Sequence, residues 1–194
     1  MIIFMFRDTI AITNRQLVKG DYLEQIRRVV SCHPYGLILR EKDLSDLEYS
    51  SLAEEVLGVC RQGQVTCFIH TRVEIARELE CPNIHLSIPA LLENRGKLEG
   101  FQQISVSCHS LEDVKLALSY GASQIILGTI FETECKKGLK GRGLSFVREI
   151  AEYCKAHGDI PVFAIGGITP ENIGQVKAAG ARGGCMMSYM MNRI

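Results

Sequence analysis

Short apolar runs alternate with longer amphipathic stretches along the whole chain. The runs are nearly continuous, without interleaved polar residues, which is typical of parallel strands that are covered by helices. Eight runs predict strands, at Thr9–Thr13, Gly36–Arg40, Gln64–Ile69, Ile84–Leu86, Ile104–Ser107, Gln124–Leu127, Pro161–Ile165 and Gly184–Met187. The stretches between them predict helices, at Tyr22–Val30, Leu44–Cys60, Arg72–Leu79, Pro89–Arg95, Ser110–Tyr120, Ser145–His157 and from 169–171 up to Gly180.

Several predicted helix ends carry local signals. Ser45 precedes the second helix and Glu48 follows three residues later, which is the spacing of a capping box. Ser110 is predicted to cap the fifth helix, and Pro170 to occupy the first position of the seventh. Gly180 is predicted to end that last helix, because glycine adopts the left-handed conformation that stops a helix.

Eight strands with helices between them predict a single-domain (β/α)₈ TIM barrel over residues 1–194. A doubly wound open sheet is the alternative, since the same alternation builds either fold. The barrel is preferred because the strand count is eight and no G-x-G-x-x-G follows the first strand. The chain stops at Ile194, shortly after the eighth strand, so the closing C-terminal helix is predicted to be missing or truncated.

Composition narrows the class of protein. The chain is 46% hydrophobic and 23% charged with zero formal net charge, which favours a packed domain and argues against a nucleic-acid or membrane surface. The chain start lacks the basic region of a signal peptide, and no apolar run approaches the roughly 20 residues of a membrane span, so a cytoplasmic protein is expected. Its eight cysteines show no metal-binding spacing and are interpreted as reduced core thiols.

A long polar loop follows the sixth predicted strand, within residues 124–145. The apolar run breaks at Gly128, and glycines at 138, 141 and 143 precede the next helix. Glycines allow backbone N–H groups to approach an anion, and Lys136 and Lys137 can neutralise its charge. The alternative is a solvated surface loop whose charges serve solubility.

In a parallel barrel, the chemistry lies where strands end and loops begin. A phosphate site is expected after the seventh and eighth strands, at Gly166-Gly167 and Met187-Ser188, where backbone N–H groups can face the anion. The same rule selects candidates at the other strand ends, which are Thr13, Arg40, Lys42, His70, Ser87, Ser107, Thr129, Thr133 and Lys136.

Four segments together resemble the thiamine phosphate synthase/TenI family. They are LREKDLS at 39–45, SCHS at 107–110, the loop at 128–143, and AIGGITPEN at 164–172. Members of this family are (β/α)₈ barrels that act on thiazole phosphate compounds of thiamine synthesis. The synthase joins a pyrimidine pyrophosphate to the thiazole phosphate, with magnesium on the pyrophosphate. The resemblance therefore implies a small phosphorylated thiazole as the substrate.

The resemblance also implies roles for individual residues. Arg40, Lys42 and Lys136 match the pyrophosphate-binding positions, and Ser107 and Thr133 match polar positions of the active site. The phosphate pocket is matched by Gly167, with its neighbour Gly166, and by Met187 and Ser188, while Cys135 is expected to line the loop.

Two departures from the synthase pattern concern the metal. His70-Thr71 stands where the synthase has Asn-Asp, and Ser87-Ile88-Pro89-Ala90 stands where it has Gly-Gln-Glu-Asp. Both magnesium-binding carboxylates are therefore replaced, and magnesium requires hard oxygen ligands. No metal and no cofactor are expected, with magnesium needed only if the chain is nevertheless a synthase.

The loop FETECKKGLKGRGLS instead resembles the TenI branch, the thiazole tautomerases, which lack those carboxylates and isomerise a thiazole carboxylate phosphate to its aromatic form. That branch has a histidine where this chain has Thr129, so His70 is the hypothetical proton shuttle. The alternative is that His70 fills the asparagine position and only hydrogen-bonds the substrate or the backbone. The predicted catalytic residues are His70, Thr129 and Lys136. Thiamine phosphate synthase and a non-catalytic regulatory binder of a phosphate ligand remain the alternatives.

A quaternary prediction follows from the reduced last helix. A barrel without it would expose apolar strand and helix surface that a second copy could cover. A homo-oligomer is therefore expected.

Overall fold

A computed structural model describes residues 6–132 and 141–194 of the chain. Its eight strands pair in parallel in sequence order, and the eighth pairs with the first, so the sheet is a closed barrel. The predicted barrel is confirmed and the open-sheet alternative is wrong. The strands are β1 Thr9–Ile12, β2 Gly36–Leu39, β3 Thr66–His70, β4 Asn83–Ser87, β5 Gln103–Cys108, β6 Gln124–Gly128, β7 Val162–Ile165 and β8 Gly183–Met186.

A helix follows each strand. The helices are α1 Tyr22–Ser31, α2 Asp46–Gln62, α3 Val73–Glu78, α4 Ile88–Glu93, α5 Leu111–Ser119, α6 Gly143–Ala156, α7 Ile173–Ala178 and α8 Ser188–Asn192, and a 3-10 turn lies at Arg15–Leu17. The last helix, α8, has five residues. Within the described ranges, no helix is both long enough and apolar enough to cross a membrane.

The short helix α8 nevertheless closes the barrel wall. It buries Met190 and Met191, and the side-chain amide of Gln25 in α1 donates to the carbonyl of Met190 at 2.7 Å. Among the described residues, the exposed large apolar side chain is that of Leu47, on α2. The prediction of an oligomer rests on apolar surface left exposed by a reduced last helix. In the described residues that surface is covered, so the oligomer stays a prediction.

Two of the predicted helix starts are confirmed and one is wrong. Ser45 and Glu48 form a reciprocal capping box on α2, and Ser110 accepts the N–H of Asp113 on α5. Helix α7, by contrast, begins at Ile173 and not at Pro170. Asn172 explains the difference, because its side chain accepts the N–H of Thr169 at 2.8 Å and donates to the carbonyl of Gly167 at 2.7 Å. These bonds hold the preceding residues in a turn.

The core has two layers. The barrel interior is a small cluster of alternate strand residues, formed by Ile10, Ile12, Ile38, Phe68, Ile126, Phe163 and Cys185. A larger cluster fills the space between the strands and the helices. The seven cysteines within the described ranges are free and buried, as predicted, and Cys135 lies outside those ranges. The tight interior leaves the carboxyl ends of the strands as the place for a ligand.

Candidate active site

A buried carboxylate holds the residues that follow β2. Glu41 is 2% exposed and accepts hydrogen bonds from Thr13 Oγ1 at 2.7 Å, from Tyr22 Oη at 3.1 Å and from the backbone N–H of Arg15. The N–H of Arg40 in turn donates to Thr13 Oγ1 at 2.9 Å. Burial, followed by the charge of Glu41, raises the pKa of Tyr22, which therefore stays a hydrogen-bond donor. This network fixes the backbone that carries Arg40 and Lys42.

A cavity of about 310 Å³ opens beside this network, over the ends of β2, β3 and β4. His70, the last residue of β3, is 8% exposed, and its Nδ1 is buried with no hydrogen-bond partner in the described structure. Buried polar atoms are rarely left unpaired, so this nitrogen is suited to a ligand that enters the cavity. The cavity is lined by Glu41, Lys42, Tyr49, His70, Thr71, Arg72 and Ser87.

Helix α2 supplies the back wall of the cavity. The hydroxyl of Tyr49 donates to the carbonyl of Leu39 at 2.6 Å and accepts the N–H of His70 at 3.3 Å, so it links the ends of β2 and β3. The guanidinium of Arg72 lies over the Tyr49 ring at 4.5 Å and is paired with Asp46. The wall is therefore built from partnered groups and should hold its shape without a ligand.

The residue after His70 has an unusual backbone. Thr71 has a φ of 63°, which is a strained conformation for a β-branched residue. Its N–H donates to the carbonyl of His85 at 2.9 Å and its Oγ1 donates to the carbonyl of His70 at 2.7 Å. Strain of this kind is often found at binding sites, where the surrounding structure maintains it.

His70 is stacked on His85 of β4, with ring centroids 5.3 Å apart. Burial, then the charges of Arg40 and Lys42, lower the pKa of His70 to about 3, and burial likewise lowers the pKa of His85. Both rings are therefore neutral near pH 7. His85 contacts the hydroxyls of Ser105 and Ser107, each at 3.1 Å.

His85 is not among the residues predicted from the sequence, yet it contacts two that are, His70 and Ser107. The alternation of residues along β4 could have indicated that His85 faces the barrel interior. Ile84 and Leu86 pack in the outer layer, and alternation along the strand turns His85 inward. Glu41, buried between two predicted site residues, was also missed.

The loops after β6 and β7 are joined by backbone hydrogen bonds. The N–H of Ile130 donates to the carbonyl of Ile165 at 2.9 Å, and that of Phe131 to Gly166 at 3.0 Å. Gly167 has a φ of 65°, and a Cβ there would lie 2.8 Å from the carbonyl oxygen of Glu132. Glycine is therefore required at this position both by conformation and by space.

The structure places most of the predicted residues at one end of the barrel. Arg40, Lys42 and His70 lie at the ends of β2 and β3, and Ser107 lies near the end of β5. Thr129 follows β6 and packs against Gly166, while Met187 and Ser188 link β8 to α8. Thr133, Cys135 and Lys136 lie outside the described residues. The roles predicted for all of these residues stay predictions.

The side-chain donors that the structure describes at the mouth do not fit a magnesium ion. Thr71 Oγ1 donates to the carbonyl of His70, Ala90 has no donor atom, and the carboxylate of Glu41 is occupied by Thr13, Tyr22 and a backbone N–H. Within residues 6–132 and 141–194, no group of three or more His, Cys, Asp or Glu residues could hold a metal ion. Magnesium prefers several hard oxygen ligands, including carboxylates, which this set does not offer.

The family model and the curated relatives that match this chain point to one family. A family model described as thiamine monophosphate synthase matches residues 9–190. A relative from Aquifex aeolicus, provisionally named thiamine-phosphate synthase 2, is 34% identical over 89% of this chain and 91% of its own length. The thiamine-phosphate synthase of Clostridium tetani is 28% identical over 94% of this chain and 87% of its own. A solved thiamine phosphate pyrophosphorylase from Pyrococcus furiosus superposes on this chain with a TM-score of 0.79. The superposition covers 95% of this chain and 88% of that one, at 24% sequence identity. This similarity supports the fold.

Proposed function

Because this chain belongs to the thiamine monophosphate synthase family, we propose that it acts on a phosphorylated thiazole of thiamine biosynthesis. We propose further that it isomerises the thiazole ring by a proton shift, as the TenI branch does, without a metal ion. The observation that carries this proposal is His70, which lines the cavity together with Lys42 and whose buried Nδ1 has no hydrogen-bond partner among the described residues.

The phosphate of the substrate would be held on the opposite side of the mouth. Gly166 and Gly167 both have positive φ, and such a turn can direct backbone N–H groups at an anion. Met187 and Ser188, which follow β8, would lie on the same side of the mouth. With its tail there, the ring of the substrate would reach across the barrel mouth towards His70.

His70 is suited to accept a proton from the ring. Its imidazole is neutral near pH 7, and Nδ1 has no competing partner among the described residues. An anionic substrate would offset the charges of Arg40 and Lys42, which are part of what lowers the pKa of His70. The pKa should then rise in the complex, towards the range in which an imidazole transfers protons well.

A second role completes the proton shift. The proton accepted from one ring position has to be returned at another, so that the atoms of the substrate are rearranged and nothing is lost. His70 could return it by the same nitrogen. Thr129 has no side-chain pKa near neutrality, so in this proposal it orients the substrate by a hydrogen bond.

Coupling of a pyrimidine pyrophosphate to the thiazole is the second candidate. The names of the relatives favour it, since the two curated relatives described above are both named thiamine-phosphate synthases. The residues present oppose it, because Thr71 and Ala90 stand where the resemblance requires magnesium-binding carboxylates. A departing pyrophosphate would then lack its main charge stabiliser.

One preparation of the whole chain can separate these functions. The protein is first incubated with the thiazole carboxylate phosphate tautomer, and aromatisation is followed by absorbance. Pyrimidine pyrophosphate, thiazole phosphate and magnesium are then added to a second sample, and thiamine phosphate is measured by chromatography. Aromatisation without thiamine phosphate is expected. Thiamine phosphate formation, or tight binding without either reaction, would overturn the proposal.

A matched pair of variants tests the role of His70. His70→Asn should reduce aromatisation by at least about 100-fold, which is the usual contribution of a general acid/base. His157→Asn changes an exposed histidine at the end of α6 and should leave the rate unchanged. Full activity in His70→Asn would remove His70 from the mechanism.

A further inference from the structure

Three buried side chains and the half-buried Ser107 form a hydrogen-bonded row across β6, β5 and β4. Gln124 Nε2 donates to Ser105 Oγ at 3.0 Å, Ser105 Oγ lies 3.1 Å from His85 Nδ1, and His85 Nε2 lies 3.1 Å from Ser107 Oγ. We propose that Gln124 sets the direction of this row, so that the Ser107 hydroxyl is presented to the substrate as a hydrogen-bond donor. This inference rests on the proposed function and adds His85 and Gln124 as positioning residues.

The direction follows from counting protons. Ser105 Oγ has two hydrogen-bond partners among the described residues, Gln124 and His85. With the Gln124 amide oriented so that Nε2 donates, which leaves its Oε1 buried without a partner among the described residues, the hydroxyl proton of Ser105 has His85 Nδ1 as its acceptor. A neutral imidazole with an accepting Nδ1 carries its proton on Nε2. His85 Nε2 then donates to Ser107 Oγ.

That donation determines what Ser107 can do. Its oxygen already accepts from His85, which leaves its own hydroxyl proton available for another acceptor. Ser107 is half-buried near the carboxyl end of β5, on the strand beside the one that carries His85. A negatively charged or carbonyl oxygen of the substrate, such as a ring carboxylate, would accept that hydrogen bond.

Burial separates the inner three residues of the row from water. Ser105 is 0% exposed, Gln124 1% and His85 4%, so water cannot readily exchange with these partners. Burial also lowers the pKa of His85 well below its ordinary value, which keeps the ring neutral and its two nitrogens distinct. His85 is therefore a group that orients Ser107, and it is not itself a proton shuttle.

The tautomer can be measured directly and without substrate. The chain is labelled with ¹⁵N-histidine, and the signals of His85 are identified by their loss in His85→Asn. The expected result is one neutral ring with a protonated Nε2 and an unprotonated Nδ1. A protonated Nδ1 would overturn the inference, because the row would then run in the opposite direction and Ser107 would accept. This measurement stays valid even if the thiazole substrate is not turned over.

Substitutions test whether the direction matters for the substrate. Ser107→Ala should lower kcat/KM by about tenfold, the value of one hydrogen bond, and Gln124→Met should lower it in the same direction while mixing the His85 tautomers. The double variant should lose no more than Ser107→Ala alone, since both changes remove the same interaction. Additive losses, or an unaltered His85 spectrum in Gln124→Met, would contradict the proposal.

Thr9→Val is the matched control for these variants. Thr9 is a fully buried strand residue whose hydroxyl has no partner among the described residues and does not belong to the row. Its replacement removes a buried polar atom from the same barrel. It should leave both kcat/KM and the His85 tautomer unchanged. If Thr9→Val lowered kcat/KM as much as Gln124→Met, the effect of Gln124 would be general packing and the proposal would fail.

Discussion

Replacing His70 by asparagine should flatten the pH dependence of folding stability between pH 7 and pH 5. Burial, then the charges of Arg40 and Lys42, lower the pKa of His70 to about 3 in the folded chain. In the unfolded chain a histidine titrates near 6.5. The unfolded state therefore binds the proton first as the pH falls. The stability that neutral His70 contributes is fully present above pH 6.5 and is lost between about pH 6.5 and pH 3.

The size of the effect follows from the two pKa values. Each pH unit between them costs about 1.4 kcal/mol, and the loss from pH 7 to pH 5 amounts to about 2 kcal/mol. His85 contributes in the same direction and remains in the variant. Carboxylates whose pKa the fold lowers, such as Asp43 with a pKa of about 2, change their protonation mainly below this window.

Urea unfolding followed by circular dichroism at pH 7, 6 and 5 measures the free energy of unfolding. The wild-type chain should lose about 2 kcal/mol more than His70→Asn over this range. His157→Asn, which removes an exposed imidazole, should keep the slope of the wild type. Equal losses in the wild type and in His70→Asn would refute the reasoning, because His70 would then be accessible to protons in the folded chain.

Three further substitutions test the conformation and the polar network of the mouth. Thr71→Gly should be more stable than Thr71→Ala by about 1 kcal/mol in urea unfolding, because only glycine relieves the φ of 63°, and equal stabilities would contradict the strain. Gly167→Ala should lower the free energy of unfolding by about 1–2 kcal/mol, because φ is 65° and the new Cβ would lie 2.8 Å from a carbonyl oxygen. The control is Gly174→Ala, in α7, where a Cβ would meet open space. This substitution should raise the free energy of unfolding by about 0.5–1 kcal/mol. Glu41→Gln should lower the free energy of unfolding by about 1.5–3 kcal/mol, because it replaces a buried carboxylate that accepts several hydrogen bonds. Thermal unfolding measures the effect, and an unchanged Tm would show that the network does not stabilise the fold.

The order of strands and helices could be predicted from the residues because the signals are local. An apolar run such as Gly36–Leu39 is buried at every position, and that pattern is visible without knowing its neighbours. The capping box of Ser45 and Glu48 lies within four consecutive residues and needs no tertiary contact. The barrel followed from the number of such units, since eight parallel strands with covering helices can close on themselves.

Where the prediction of a helix start failed, one local interaction had overridden another local preference. Pro170 suits the first turn of a helix, yet α7 begins at Ile173 because the side chain of Asn172 bonds Thr169 and Gly167 and holds a turn. Helix propensity is a weak term, and two hydrogen bonds of this kind are enough to exceed it.

The sequence partly predicted the polar residues that lie together at the mouth, because parallel strands place their carboxyl ends at the same end of the barrel. Arg40, His70 and Ser107 were found by that rule. The state of each group was decided only by tertiary structure. Glu41 is buried between Thr13 and Tyr22, and His85 contacts two serines of the neighbouring strand. These partners lie 19 to 28 residues away in the chain. A pKa and a tautomer depend on such distant neighbours and on burial, and neither of these is encoded in local spacing.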